Sequence, residues 1–213
     1  MKHYMVNEMF WSPQGEGIRA GEMSVFIRFT ACNLRCRLEH ADDSPGGFDC
    51  DTEFASGRKM TAEDIVQDAR ALVGKSQAWY DLGHRAWVVL TGGEPGLQVD
   101  AALLEALHGA GFQCAIETNG SIDLSSLALD WITVSPKVAE HAVRQRVANE
   151  VKYVRGHGQG IPKPTCKATH QLLSPAHDGL DLDRRALAWC LELIRQHPDW
   201  RLSVQQHKTW RVR

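Results

Sequence analysis

Three cysteines that lie close together are the densest group of potential metal ligands in the sequence. Cys32 and Cys36 are separated by three residues, and Cys50 follows after thirteen more. Clustered thiolates bind zinc, copper(I) or iron–sulfur clusters. With His40 they would form a zinc site of the Cys₃His type, whereas alone they would hold a [4Fe–4S] cluster with one open iron. Ordinary core and loop thiols are the third interpretation, and the cysteines alone do not decide among the three.

A glycine-rich segment, Thr91-Gly-Gly-Glu94-Pro95, is the second candidate, and it follows a strongly hydrophobic run. Two glycines at the end of a strand let a ligand approach the backbone closely. Glu94 could accept hydrogen bonds from an ammonium group. An ordinary turn with a solvated carboxylate fits the same pattern, so this segment alone does not establish a binding loop.

The elements that must position these residues are short strands that alternate with helices. This alternation predicts crossover connections and an α/β fold with a mainly parallel sheet, in which active sites gather where the strands end. Strands are predicted over residues 24–29, 86–90, 113–117, 131–134, 150–154 and 201–204. Helices are predicted from Thr61 to Gly74, from Asp100 to His108 and from Asp183 to Gln196, each with its first residue as the cap.

The composition is that of an ordinary globular protein. The chain has 213 residues, 43% of them hydrophobic, which suits a single domain over residues 1–213. Lys+Arg 24 against Asp+Glu 26 gives a net charge of −2, which argues against a broad nucleic-acid-binding surface. Because no apolar run suits a signal peptide or a membrane span, we expect a cytoplasmic protein with reduced thiols. Cys114, Cys166 and Cys190 are predicted to be core or incidental thiols.

The order of the motifs resembles the radical S-adenosylmethionine (SAM) superfamily, in which a cysteine loop follows the first core strand and a Gly-Gly-Glu loop follows a later one. Further segments are similar, nearly end to end, to the 7-carboxy-7-deazaguanine synthase family. These segments are Phe10-Trp-Ser-Pro-Gln-Gly-Glu-Gly17, Phe26-Ile-Arg-Phe29, Cys50-Asp-Thr52, Ile116-Glu-Thr-Asn-Gly120, Val134-Ser-Pro-Lys137 and Leu202-Ser-Val-Gln-Gln-His-Lys208.

The resemblance implies a modified, incomplete (β/α) barrel of the radical SAM type with a mainly parallel sheet. It implies a lyase of 7-deazapurine (queuosine) biosynthesis that converts 6-carboxy-5,6,7,8-tetrahydropterin to 7-carboxy-7-deazaguanine with loss of ammonia. In this family SAM bound to a [4Fe–4S] cluster generates a 5′-deoxyadenosyl radical that removes the C6 hydrogen, and Mg²⁺ assists. Family members are commonly homodimers and take electrons from a flavodoxin-type reductant; neither nucleic acid nor a membrane is an expected partner.

The resemblance also implies roles for individual residues. The cluster ligands would be Cys32, Cys36 and Cys50, with Thr52 on Mg²⁺. The catalytic set would be Glu16, Arg28, Glu117 and His207, and the pterin would also meet Pro13, Gln14, Gly15, Thr91, Gln205 and the terminal carboxylate of Arg213. SAM would meet Asp49, Cys50, Asp51, Gly93, Glu94, Ser135, Pro136, Lys137 and a turn formed by Ser174, Pro175, Ala176 and His177.

The cysteine spacing departs from the superfamily's usual Cys-x-x-x-Cys-x-x-Cys pattern, because Glu39 stands where the third cysteine is expected. Cys50-Asp51-Thr52 keeps the context of that cysteine, so we interpret residues 32–52 as an enlarged cluster loop. Lengthening such a loop adds little closure entropy. The alternatives are a different radical SAM protein, such as a small glycyl-radical activase, and a structural zinc protein that acts as a binding module.

Overall fold

The structure is a computed structural model that describes residues 2–34, 56–74, 85–178 and 181–212. Within them the strands are β1 Tyr4–Pro13, β2 Met23–Phe29, β3 Arg58–Met60, β4 Trp87–Gly92, β5 Gln113–Thr118, β6 Trp131–Val134, β7 Val147–Arg155, β8 Lys167–Pro175, β9 His177–Asp178, β10 Asp181–Leu182 and β11 Trp200–Leu202. The helices are α1 Ala62–Val73, α2 Ala101–Gly109, α3 Arg184–Gln196 and α4 Gln206–Trp210, with 3₁₀ turns at Pro95–Leu97 and Glu140–Ala142.

Nine of these strands form one sheet in the order β11-β8-β7-β6-β5-β4-β2-β1-β3. In this order all neighbouring strands between β11 and β2 are parallel. Strand β1 pairs antiparallel with both β2 and β3. The predicted α/β architecture with a mainly parallel sheet is therefore confirmed. Within the described ranges β3 and β11 remain the two edges, so strand pairing leaves the sheet open, as an incomplete barrel requires.

The three predicted helix caps are confirmed. Thr61 and Asp64 form a capping box at the start of α1, in which each side chain accepts a hydrogen bond from the other residue's backbone N–H. Asp100 accepts from Leu103 N at 3.0 Å, and Asp183 caps α3 in the same way. These caps fix where each crossover helix begins after its loop.

The side chains of the parallel strands alternate between two faces. On one face Ile27, Leu90 and Ile116 pack with residues of α1 and α2 in the largest hydrophobic cluster. On the other face a smaller aromatic cluster contains Phe26 and Val89, and Phe26 stacks on a second ring at 5.0 Å. We call this second face the inner face. Side chains two residues apart on a strand share a face, so the inner face also carries the polar side chains of Arg28, Thr91 and Glu117.

The three cysteines predicted to be core or incidental thiols belong to the packed interior. Cys114, Cys166 and Cys190 are each at most 2% exposed. Burial raises the pKa of Cys114 to about 12 and those of Cys166 and Cys190 to about 11. Thiols with such pKa values stay protonated at neutral pH, so these three are packing residues rather than reactive groups.

The loop after β1 links both halves of the sheet. Gly15 O accepts a hydrogen bond from Gln206 N at 2.9 Å, and the Gln205 amide donates to Glu16 at 2.7 Å. In a flat sheet β1 and β11 would lie seven strand spacings, about 34 Å, apart. The contacts require the sheet to curl until this loop spans its inner face. No helix in the described part of the chain is both long and apolar enough to cross a bilayer.

Candidate active site on the inner face and at the strand ends

The predicted site residues gather where parallel strands end. The carboxyl ends of such strands meet at one edge of a sheet, where loops can surround a ligand. Five separate segments reach this edge in the described residues: Cys32 after β2, Gly93 after β4, Ser135 after β6, Ala176 after β8 and Gln205 after β11.

The Gly-Gly-Glu loop packs directly on the start of the cysteine loop. Gly93 N donates to Phe29 O at 3.0 Å, and Glu94 N donates to Ala31 O at 2.9 Å. A Cβ on Gly93 would lie 1.9 Å from Ala31 O, and one on Gly92, whose φ is +110°, would lie 2.4 Å from Phe29 O. Both glycines are therefore required by the close approach of two backbones, which joins the two motifs into one unit.

Cys32 is half-buried, and its Sγ accepts a hydrogen bond from Leu34 N at 3.4 Å. Asn33 holds this loop to the end of β5, because it donates to Ser121 Oγ at 2.8 Å and accepts from Asn119 Nδ2 at 3.1 Å. A partly exposed cysteine that is held in place in this way fits one ligand position of an iron–sulfur cluster.

Several predicted site residues lie outside the described part of the chain, as does most of the predicted cluster loop. They are Cys36, Asp49, Cys50, Asp51, Thr52 and Arg213, together with His40 of the zinc alternative. Their roles stay predictions.

The Glu94 side chain is wholly buried and joins two strand ends. It accepts hydrogen bonds from Gly96 N at 2.9 Å, Thr118 Oγ1 at 2.7 Å and Asn119 N at 2.8 Å. Burial raises the pKa of Glu94, and these three donors oppose that rise without cancelling it. The carboxylate thus fixes the ends of β4 and β5 relative to each other, a structural function that the sequence pattern did not indicate. The SAM contact expected of Glu94 stays a prediction.

The other residues expected to meet SAM sit at two further strand ends. Ser135, Pro136 and Lys137 are half-buried after β6, and Ser135 N donates to the last residue of β5 at 2.8 Å. The segment Ser174–His177, expected to be a turn, is instead the end of β8 followed by β9. Strand β8 was not predicted from the sequence, because its first five residues are mostly polar and show no alternation of apolar and polar side chains.

Three residues expected to hold the pterin form one hydrogen-bonded group on the inner face. The Gln14 amide donates to Glu117 Oε1 at 2.9 Å, and Thr91 Oγ1 donates to Glu117 Oε2 at 3.4 Å. Gln14 is 7% exposed, and its side-chain oxygen Oε1 accepts a hydrogen bond from Glu16 N at 3.2 Å. The group presents amide and carboxylate oxygens side by side, which suits the donor–acceptor edge of a heterocycle.

Glu16 is held by two donors, one on each carboxylate oxygen. Gln205 donates to Oε1 at 2.7 Å, and Lys152 forms an ion pair with Oε2. Burial alone would raise the pKa of Glu16, but the charge and hydrogen bond of Lys152, the Gln205 bond and the charge of His207 lower it to about 2. Glu16 is therefore ionised at every physiological pH.

Two glycines of the Gln14–Gly17 segment make room for neighbouring side chains. A Cβ on Gly15 would lie 2.2 Å from Nδ1 of His207. A Cβ on Gly17, whose φ is +74°, would lie 2.4 Å from Oε1 of Glu150. The spacing Gly-x-Gly is thus explained by two close contacts, one to α4 and one to β7.

Replacing Gly15 by alanine should displace His207 and weaken substrate binding while the sheet stays folded. The new methyl overlaps the imidazole and also lies 2.6 Å from the Cβ of His207, so rotation of the ring is not enough and the start of α4 must shift. We expect kcat/KM to fall by roughly 10- to 100-fold, because small misplacements of a binding group are costly. Gly109→Ala is the matched control, since a Cβ there meets nothing within 4 Å. Equal activities of the two variants would contradict the placement of His207.

Arg28 and Pro13 lie beside this group on β2 and β1. Arg28 forms an ion pair with Glu8 at 2.8 Å, and its guanidinium lies 5.2 Å from the centre of the Phe10 ring. Its side chain is 33% exposed, and it lies opposite Thr91 in the strand pairing. Pro13 ends β1. A guanidinium with further donors on the inner face can bind a carboxylate, the role expected of Arg28.

Sequence reading missed the charged residues Glu150 and Lys152 of β7. They are 4% and 8% exposed, and their side chains reach the same network as Glu16 and Glu117. The signal was present, because two charged residues with one apolar residue between them share a face of a predicted strand. Arg19 was also missed; it is buried over the ring of Trp87 at 3.7 Å.

A further group of metal-binding residue types lies at the opposite end of β5. His108, Cys114 and Asp130 place one potential ligand atom each within 4.8 Å of one another. Asp130 Oδ2 already accepts from the Cys114 backbone at 2.7 Å and contacts the His108 ring at 2.9 Å. Because burial keeps the Cys114 thiol protonated, we interpret the group as a structural link in which Asp130 connects α2 to β5.

Comparison with known proteins gives consistent results over the length of the chain, although no protein-family model matches it. The 7-carboxy-7-deazaguanine synthase of Nitratidesulfovibrio vulgaris is 39% identical over 220 residues, covering 96% of this chain and 97% of the relative. That of Bradyrhizobium diazoefficiens is 39% identical over 221 residues and covers 99% of both chains. The crystal structure of QueE from Escherichia coli superposes with a TM-score of 0.63 at 28% identity, over 96% of this chain and 95% of that one.

Proposed function

Because the chain belongs to the 7-carboxy-7-deazaguanine synthase family and is therefore a radical SAM lyase, we propose that it converts 6-carboxy-5,6,7,8-tetrahydropterin to 7-carboxy-7-deazaguanine and ammonia. One observation carries the proposal beyond the family name. Residues from segments as distant as Gln14, Thr91, Glu117 and Gln205 form one polar network on the inner face. Such a network serves a small heterocycle with several donors and acceptors.

The strand-end edge is the proposed site of a [4Fe–4S] cluster and SAM. Cys32, with Cys36 and Cys50, would hold the cluster, and the backbone at Gly93 and the Ser135–Lys137 segment would hold SAM. When bound, these groups supply the 5′-deoxyadenosyl radical that removes the C6 hydrogen of the substrate. The buried Glu94 keeps the β4 and β5 ends fixed, so the reacting atoms keep one geometry.

The inner face is the proposed site of the pterin. Glu117, on β5, and Glu16, on the loop after β1, would accept hydrogen bonds from its ring N–H groups. Gln14 and the backbone at Gly15 hold that loop in place through their bonds to Glu117 and Gln206. Arg28 would bind its carboxylate, since guanidinium and carboxylate pair through two parallel hydrogen bonds. The aromatic cluster below, which includes Phe26, excludes water from the floor of this space.

Further parts of the proposal concern partners and ions. Mg²⁺ would bind Thr52 and the substrate, because this ion retains waters and needs few protein ligands. A flavodoxin-type reductant would supply electrons near the loop over residues 32–52, and two copies of the chain would form a homodimer.

The test is anaerobic reconstitution with iron and sulfide, followed by SAM, a reductant, Mg²⁺ and 6-carboxytetrahydropterin, with the product identified by mass. We expect 7-carboxy-7-deazaguanine, and we expect Cys50→Ala to lose it because that cysteine is the proposed third ligand. A brown protein that cleaves SAM and leaves the pterin unchanged would overturn the substrate. A colourless protein that binds zinc would overturn the cluster as well.

A further inference from the structure

Lys152 lies among three carboxylates on the inner face. It is 8% exposed on β7 and pairs with Oε2 of Glu16, a residue of the loop after β1. The charges of Glu117, on β5, and Glu150, on β7, also act on it. Burial lowers the pKa of Lys152, but these three carboxylates outweigh burial and raise it, so the ammonium stays charged.

The three carboxylates differ in what else holds them. Glu150 accepts from Thr133 Oγ1 at 2.7 Å and Ile18 N at 3.0 Å, so its two oxygens have neutral donors of their own. Glu117 accepts from the side chains of Gln14 and Thr91. Glu16 instead depends on Lys152 for the donor to Oε2, since the Gln205 amide serves Oε1.

We propose that Lys152 is a positioning residue for the pterin: it keeps the Glu16 carboxylate charged and turned so that its remaining lone pairs face the substrate's N–H groups. The inference rests on the proposed function, because it deepens the description of the same site. Each carboxylate oxygen accepts more than one hydrogen bond, so Glu16 can bind Lys152, Gln205 and a ligand together.

The charge of Lys152 also lets three buried or half-buried acidic side chains lie close together. Arg19 also interacts with Glu117 and Glu150, so without Lys152 the carboxylate that is left least compensated among these acidic groups is Glu16. The group best able to relieve the repulsion among them is Glu16, since it loses its ionic partner and its side chain is only 15% exposed. It would take up a proton and become a donor where the substrate also offers donors.

A double-mutant cycle tests whether Lys152 acts through Glu16. The variants are Lys152→Met, Glu16→Gln and the two combined, and the readout is the pterin dissociation constant of the SAM-loaded protein without reductant. We expect Lys152→Met to weaken binding by roughly 10- to 100-fold. In the Glu16→Gln background the same change should cost less than about threefold. If the combined variant instead loses affinity by the product of the two single losses, Lys152 does not act through Glu16 and the inference is overturned.

The pH dependence separates positioning from a merely structural role. Besides Lys152, the charges that act on or respond to Glu16 are those of His207 from α4 and His177 of β9. Glu117 and Glu150 act on Lys152, and Arg19 interacts with both of these carboxylates. In the unaltered chain Glu16 is ionised between about pH 6 and pH 9, so it adds no pH dependence to binding. In Lys152→Met its pKa rises, so binding should weaken as the pH falls through that new value and recover toward alkaline pH. A loss of affinity that is the same at every pH would contradict the inference.

The matched control is Lys167→Met, the same chemical change at an exposed position at the start of β8. It should leave pterin binding unchanged, and a loss equal to that of Lys152→Met would overturn the inference. Should Lys152→Met fail to fold, the comparison of Glu16→Gln with the combined variant still decides, because the combined variant removes both charges of the pair. A loss well above threefold between these two variants would overturn the inference. An unaltered protein that does not bind the pterin overturns the proposed function, whereas a multiplicative cycle in a protein that binds it overturns this inference alone.

Discussion

Gly93→Ala is expected to abolish cluster assembly and SAM cleavage while most of the fold remains. The new Cβ would lie 1.9 Å from Ala31 O, well inside any contact distance that two such atoms tolerate. The loop after β4 and the loop after β2 must therefore separate by roughly 1 Å or more, which carries Cys32 away from its place beside them. Backbone atoms lie on both sides, so no side-chain rotation relieves the overlap.

The measurement is the iron and sulfide content of the reconstituted variant, with SAM cleavage and thermal unfolding followed in parallel. Overpacking of this kind costs about 1–3 kcal/mol, so the variant should still unfold cooperatively. Gly160→Ala is the control, because a Cβ there meets nothing within 4 Å, and it should keep the unaltered cluster content. A Gly93→Ala protein with a full cluster and unaltered SAM cleavage would show that the two loops do not act as one unit.

The second large effect is expected at Cys32, the one predicted cluster ligand within the described residues. Cys32→Ser should lose SAM cleavage to below detection, because an incomplete ligand set cannot hold an oxygen-sensitive cluster. Cys166→Ser is the matched control: its thiol is 2% exposed, and burial keeps it protonated. The control should retain iron and show only the modest loss of stability expected when a hydroxyl enters an apolar site.

Iron, sulfide and visible absorption distinguish these variants directly, and thermal unfolding shows whether each remains folded. A Cys32→Ser protein that keeps its cluster would remove Cys32 from the ligand set. A zinc-loaded, colourless protein whose zinc depends on Cys32 would favour the structural zinc interpretation of the cysteine cluster.

Local pattern was sufficient for the central strands and the capped helices. The run at β6 was predicted with the bounds Trp131–Val134 that the structure shows, and each cap residue binds the backbone as its type requires. Strand β7 is longer than predicted, since it begins at Val147. Helix α4 was missed because five residues carry too little periodicity to separate a short helix from a loop.

The site could be predicted only where spacing in sequence matches proximity in space. Gly92 and Gly93 were found because adjacent glycines at a strand end are conspicuous in any sequence. The structural bonds of Glu94 could not be, since they depend on how β5 lies beside β4. The pairing of Lys152 with Glu16 is equally beyond local pattern, because it joins residues 136 positions apart.

The loop that spans the inner face also sets the order in which the protein can be assembled. The bond between Glu16 and Gln205 joins residues 189 positions apart, whereas the strands around Cys32 meet partners much nearer in sequence. Contacts of such long range form late, because the intervening chain must first lose its freedom. During synthesis the edge that carries the cysteine loop can therefore fold while the ribosome is still adding residues. The face proposed to bind the pterin is completed only after residue 205 has emerged, so on this proposal the cluster site forms before the substrate site.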